Sequence, residues 1–208
     1  MYMIKKWTNL LDNMKRLISI CTLLLFLNCK EKVELPIISA TINELGEKEI
    51  YRINNFYFTN QFGEDFGTQN TIGNIYIANF FFTSCPSICP PMRNKLIDIA
   101  TTFKDKNDFI ILSFTIDPAN DTVSVLKKYA TSLRIPNKKW FFLRGTDKEL
   151  LKIADKFRTS FSKKEDSIDF YHSSFVALVD KKQQIRGFYN ILDEASFEEL
   201  KEDIQKLK

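Results

Sequence analysis

Two nearly unbroken apolar runs, Ile75-Tyr76-Ile77-Ala78-Asn79-Phe80-Phe81-Phe82 and Phe109-Ile110-Ile111-Leu112-Ser113-Phe114-Thr115-Ile116, constrain this chain more than any other feature. Runs of this length without polar alternation suit strands covered on both faces, the situation of a parallel sheet. Between them Met92, Leu96, Ile99 and Phe103 recur at intervals of four, three and four residues, which places one apolar stripe along an amphipathic helix. Strand, helix and strand in that order predict a parallel βαβ unit.

The alternation continues. Leu126, Tyr129 and Leu133 mark a second helix, Trp140-Phe141-Phe142-Leu143 a third strand, and Leu150, Ala154 and Phe157 a third helix. The pattern then changes to two runs, 174–179 and 184–189, separated by Asp180-Lys181-Lys182-Gln183, followed by Phe197, Leu200, Ile204 and Leu207 at helical spacing. That is an antiparallel hairpin and a closing helix. Parallel units closed in this way predict an α/β, thioredoxin-like fold, a central sheet flanked by helices. Upstream, Phe56-Tyr57-Phe58-Thr59 reads as a short strand and Asn60-Gln61-Phe62-Gly63 as a turn. With 208 residues, 44% of them hydrophobic, one domain with a full core is expected.

The amino-terminal region follows a different logic. An apolar stretch from Leu17 to Leu27 follows Lys15-Arg16 and stops at Asn28-Cys29-Lys30, the layout of a signal peptide. It is too short to span a hydrocarbon layer that needs roughly 20 residues. Leu27-Asn28-Cys29 is similar to a bacterial lipoprotein cleavage box, so residues 1–28 are expected to be a signal peptide of lipoprotein type and Cys29 to carry the lipid. Met14 would itself make an ordinary signal-peptide start. Residues 29–48, polar and charged with Pro36 and Gly46, are expected to be a tether, and the domain to occupy residues 49–208. The expected location is the bacterial cell membrane, lipid-anchored and facing the periplasm or the outside. The formal charge is +4, but residues 1–28 supply +3 of it through Lys5, Lys6, Lys15 and Arg16 against Asp12. A nearly neutral body gives no electrostatic reason to expect nucleic acid.

With Cys21 in the removed segment and Cys29 lipidated, the mature domain keeps two thiols, Cys85 and Cys89. They lie in Thr83-Ser84-Cys85-Pro86-Ser87-Ile88-Cys89-Pro90-Pro91, after the first long strand and before its helix, the edge at which open sheets gather ligands. Pro90 and Pro91 are tolerated at a helix start and costly inside one, so Cys89 is expected at the helix amino end, where the dipole favours a thiolate. One helical turn separates the two sulfurs, near enough to share a metal with bonds of about 2.3 Å. Metal binding, a redox couple and a structural disulfide all remain open at this point. Soft thiolates select monovalent copper or zinc, and two sulfurs with one imidazole leave an open coordination position.

His172 is the sole histidine. It precedes the hairpin strand that a thioredoxin-like topology sets beside the first strand, which would bring it to the cysteines. No proline follows Pro136, so the cis-proline of ordinary disulfide-exchange enzymes is missing before that strand. In Asp117-Pro118-Ala119-Asn120-Asp121-Thr122, Asp121 is expected to cap the next helix, and Asp117 and Asp121 are both candidates for the second shell of the site or a docking face.

These residues together resemble the SCO/SenC family of copper chaperones for cytochrome oxidase: the run from Phe81 to Pro90, the run from Phe114 to Thr122, and His172-Ser173-Ser174, in family-like order and spacing. The likeness extends from about Ile50 to Leu207. It implies a thioredoxin-like fold with an extra N-terminal hairpin, a membrane anchor, and one copper ion, Cu(I) or Cu(II), held by Cys85, Cys89 and His172. It also implies a role in building the dinuclear copper centre, with cytochrome c oxidase subunit II or another exported copper protein as partner. Family members are described both as copper donors and as thiol reductases, and Cys85 and Cys89 would be the redox pair in the second role.

Overall fold

Five strands form the central sheet of a computed structural model that describes residues 34–135, 138–159, 162–163, 170–171 and 173–207. In chain order the elements are β1 (Ala40–Ile42), β2 (Lys48–Ile50), β3 (Tyr57–Thr59), β4 (Asp65–Gly67), α1 (Thr68–Thr71), β5 (Ile75–Phe81), α2 (Cys89–Thr102), β6 (Phe109–Thr115), α3 (Val123–Ser132), β7 (Trp140–Leu143), α4 (Asp147–Lys156), β8 (Ser162–Lys163), β9 (Phe170–Tyr171), β10 (Phe175–Val179), β11 (Ile185–Asn190) and α5 (Glu194–Lys206). The expected signal segment, Cys21, Cys29 and His172 lie outside the described residues.

β5 and β6 are buried at all seven positions each and pair in parallel register, Ile75 opposite Phe109 through Phe81 opposite Thr115. β7 adds a second parallel pairing on β6. β10 runs antiparallel beside β5, with Ala177 opposite Ala78, and β11 closes the edge as the other arm of the hairpin. Strand, helix and hairpin therefore fall where the apolar pattern put them, and the architecture is thioredoxin-like.

The helices cover the sheet through the stripes seen in the sequence. α2 buries Met92, Leu96 and Ile99; α5 buries Phe197, Leu200 and Ile204 and meets α2 through the Lys95–Glu194 ion pair. α4 starts on a capping box in which the Glu149 N–H donates to the Thr146 hydroxyl and the Thr146 N–H to the Glu149 carboxylate, satisfying two donors that a helix start leaves over. On the face opposite α2, Phe56, Phe58, Phe80 and Phe157 gather around the Phe114 ring.

Packing begins earlier than the sequence suggested. Residues 35–48, expected to belong to a tether, join the domain: Ser39 is fully buried, the Ile38 N–H donates to the Ile185 carbonyl, and β1 pairs with β2. Arg186 holds this segment. Buried itself and paired with buried Asp180 at 2.8 Å, its guanidinium also donates to the carbonyls of Leu35 and Pro36. A polar composition concealed this because backbone carbonyls on a buried cation supply much of the docking, with only Leu35 and Ile38 of the segment's apolar side chains packed against the core. The entering segment thus lies against the β10–β11 turn. Val179 at that turn pairs with Tyr76 near the start of β5, whereas the Cys85 loop follows the far end of β5. Seven residues of strand separate these two ends of the sheet by roughly 20 Å.

Candidate metal centre

The loop from Phe82 to Ile88 hangs from the carboxyl end of β5, and its first anchor is the Cys85 N–H donating to the Phe82 carbonyl at 3.3 Å. Cys85 and Cys89 are both reduced and buried, each 6% exposed. α2 begins at Cys89 with Ile88 as a cap residue that offers no side-chain acceptor. Pro90 and Pro91 have no N–H to satisfy, and the Met92 N–H already reaches the Ile88 carbonyl at 3.3 Å. The one first-turn donor left over is the N–H of Cys89, which donates to the Cys85 sulfur at 3.4 Å. Cys85 therefore takes the place of the missing cap, and the two cysteines are held together by the helix start itself. The expectation that Cys89 opens the helix holds; that Cys85 supplies the acceptor was not foreseen, since sulfur is a weak acceptor and not a usual capping residue.

Asp121 does not cap α3. Thr122 does, its hydroxyl accepting the Val125 N–H. Asp121 is 1% exposed and its carboxylate instead accepts from the Thr83 N–H at 3.1 Å, from the Thr83 hydroxyl, and from the Thr115 hydroxyl at 2.5 Å. It ties the cysteine loop to the end of β6 two residues before Cys85. Arg144 steadies the same turn by donating to the Asp121 carbonyl at 3.2 Å and the Pro118 carbonyl at 3.0 Å. Asp117, also buried, uses its carboxylate within the turn, where it accepts from the Asn120 amide at 2.8 Å. The available sequence signal for this clamp was the pair of threonines at the ends of two apolar strands, each needing a hydrogen-bond partner once buried.

Behind Cys89 lies Tyr129, packed between Phe81 and Phe142. Burial pushes its phenol up to about 12; the neighbouring Arg93 opposes this, and the negative charge of Cys89 adds to it. Burial likewise raises Tyr76, and burial with a hydrogen bond to Asp203 raises Tyr189. A phenol that keeps its proton more tightly in the folded than in the unfolded chain leaves stability intact below the unfolded value of 10.0 and removes it as pH climbs toward the folded value. Tyr129 alone should account for about 3 kcal/mol lost between pH 10 and pH 12. Urea midpoints measured across that range should fall steeply in the parent and less steeply in Tyr129→Phe; parallel curves would refute this.

The third expected ligand, His172, is outside the described residues. Among the described residues no third His, Cys, Asp or Glu joins the cysteine pair. Its neighbour Ser173, however, shares a cavity of about 260 Å³ with Phe80 and Phe175, and Phe80 is the penultimate residue of β5, the strand that leads into the cysteine loop. The strand that follows His172 is the one hydrogen-bonded to the strand that precedes Cys85.

A parallel sheet closed by an antiparallel hairpin, with a reduced cysteine pair at the first helix start after the central strand, defines a thioredoxin-like domain of the cysteine-pair class. The SCO1/SenC family model matches residues 35–208, and the chain belongs to that family. It is 31% identical over 158 residues to the SCO1 protein homolog of Bacillus subtilis, covering 74% of this chain and 82% of that one. It is 33% identical over 156 residues to an SCO2-like protein of Rickettsia felis, covering 69% and 75%. Among solved structures, BsSco, a member of the Sco family of cytochrome c oxidase assembly proteins in which a disulfide switch is identified, aligns with a TM-score of 0.66 at 31% identity over 75% of this chain and 92% of that one. Yeast Sco1 with copper bound aligns at 0.61 and 27% identity over 72% and 86%.

Proposed function

We propose that this chain is a copper-binding metallochaperone that assists assembly of the dinuclear copper centre of cytochrome c oxidase, with Cys85, Cys89 and His172 as ligands. The observation that carries the reading is the convergence of two reduced, buried cysteines on one helix start with the pairing of β10, which begins three residues after His172, beside the strand that leads to them. Two sulfurs and one imidazole suit copper as cargo, because thiolates bind Cu(I) strongly while an incomplete shell leaves room for a receiving ligand to enter. Yeast Sco1 is a relative solved with copper bound, which supports the choice of metal.

The recipient is subunit II of the oxidase or another exported copper protein. A lipid on Cys29 holds the domain at the bacterial cell membrane, facing the periplasm or the outside. Residues 35–39 dock against the β10–β11 turn, at the end of the sheet away from the cysteine loop. Metal analysis of the protein loaded with copper should give one ion per chain, and less than a tenth of that in Cys85→Ser and in Cys89→Ser. Full loading of either variant would overturn the reading. Because the ligand thiols must lose protons, loading should also fall in acid.

A second role, reduction of a disulfide on the recipient, is favoured by both cysteines being reduced and in contact at one helix start. In that role Cys85→Ser or Cys89→Ser should accumulate a mixed disulfide with the recipient. Normal recipient reduction by both variants would exclude it.

A further inference from the structure

We infer that Asn79 is a positioning residue for Cys89 and acts through a single buried water held between the sheet and α2. Asn79 is an oddity of the sequence, an amide inside a strand otherwise built from apolar residues and 3% exposed. Its partners form a one-way chain. The Trp140 indole N–H, which can only donate, gives its proton to the Ser113 hydroxyl at 2.8 Å. Ser113 then has its own proton to donate, and it goes to the Asn79 Oδ1 at 2.6 Å. That direction fixes the amide: Oδ1 faces Ser113 and the NH₂ group faces away, with no acceptor for it among the described residues.

The space it faces is a cavity of about 10 Å³ lined by Asn79, Cys89, Arg93, Ser113 and Tyr129 together with apolar side chains of both elements. This volume is close to what one water requires, and such a water needs two to four polar partners to be retained. Those partners are present. The Asn79 NH₂ donates to the water from one side. Tyr129 lines the same chamber, and its hydroxyl offers a second partner for the water. The water's own two protons are directed at acceptors that line the chamber, and the Cys89 sulfur is one of those lining atoms. A buried NH₂ group with no partner would cost about 1–3 kcal/mol, and one water removes that cost while fixing the side of Cys89 that faces the core. The inference does not depend on the copper reading, since it concerns the reduced, metal-free protein.

The test is water-to-amide cross-relaxation in nuclear magnetic resonance spectra of the full-length protein, reduced and metal-free in detergent. A long-lived water should appear at the Asn79 Nδ2 protons. Tyr129→Phe, which removes one partner and leaves the chamber's shape, should speed exchange of that water about tenfold, the effect of one lost hydrogen bond. Asn79→Leu should move the Cys89 Cβ resonance while the Trp140 indole proton, still bonded to Ser113, stays in place. Absence of the water in the parent, or an unmoved Cys89 resonance in Asn79→Leu, would overturn the inference. Should Asn79→Leu fail to fold, unchanged water exchange in Tyr129→Phe would overturn it equally.

Discussion

His172→Ala is expected to lower Cu(II) affinity by at least about 100-fold, above the 10–100-fold that loss of an outer-shell partner costs a metal site. The effect on Cu(I) should be smaller. Two thiolates alone satisfy a monovalent ion that accepts low coordination, whereas the divalent ion needs the imidazole to complete its shell. Competition titrations with a chelator for each oxidation state separate the two cases, and the urea midpoint of the metal-free variant should match the parent. Equal Cu(II) affinity in parent and variant would remove His172 from the site and, with it, the three-ligand reading. The reason to expect so large an effect is topological: β10 starts at Phe175 and is hydrogen-bonded to β5 from Ala177 onward, so the chain just before it arrives at the same edge of the sheet as the cysteine loop.

Asp121→Ala should be the most destabilising polar substitution near the site, by about 3–5 kcal/mol. It strips three donors, the Thr83 N–H and the hydroxyls of Thr83 and Thr115, of their shared acceptor in a buried place, and each orphaned donor costs about 1–3 kcal/mol less whatever water can recover. Against a total stability of about 5–15 kcal/mol this is a large fraction. Asp121→Asn should cost less, about 1–2 kcal/mol, because the two hydroxyls can turn to suit an amide while the Thr83 N–H cannot. Chemical denaturation measures both. A loss below 1 kcal/mol in Asp121→Ala would mean that the clamp is not what holds the cysteine loop. Copper retention should fall in parallel, since Thr83 stands two residues before Cys85.

The two substitutions differ in how far they were visible beforehand. Asp121 stands out in the sequence, yet its expected role as a helix cap belongs to Thr122, because local capping rules weigh only neighbours within one turn while Asp121 spends its oxygens on Thr83, 38 residues earlier. The docking of residues 35–48 is hidden from the sequence for the same reason. Their fixing contact is Arg186, about 150 residues away in sequence, and no periodicity in a short polar segment reports such a partner. Asn79 and Ser113 were visible only as interruptions in apolar runs, with nothing to say that Trp140 would set the direction of their hydrogen bonds.

The order of strands and helices, the hairpin that closes the sheet and the position of the cysteines at a helix start were all determined by the chain itself, because burial on both faces and a helical apolar stripe leave a period that can be read residue by residue. Tertiary structure alone decided that the Cys85 sulfur accepts from the Cys89 N–H, that Asp121 clamps the loop above it, and that the entering segment docks on Arg186. Those outcomes depend on which distant polar groups meet once water is excluded, and hydrogen bonding between residues far apart in sequence leaves no repeat to detect.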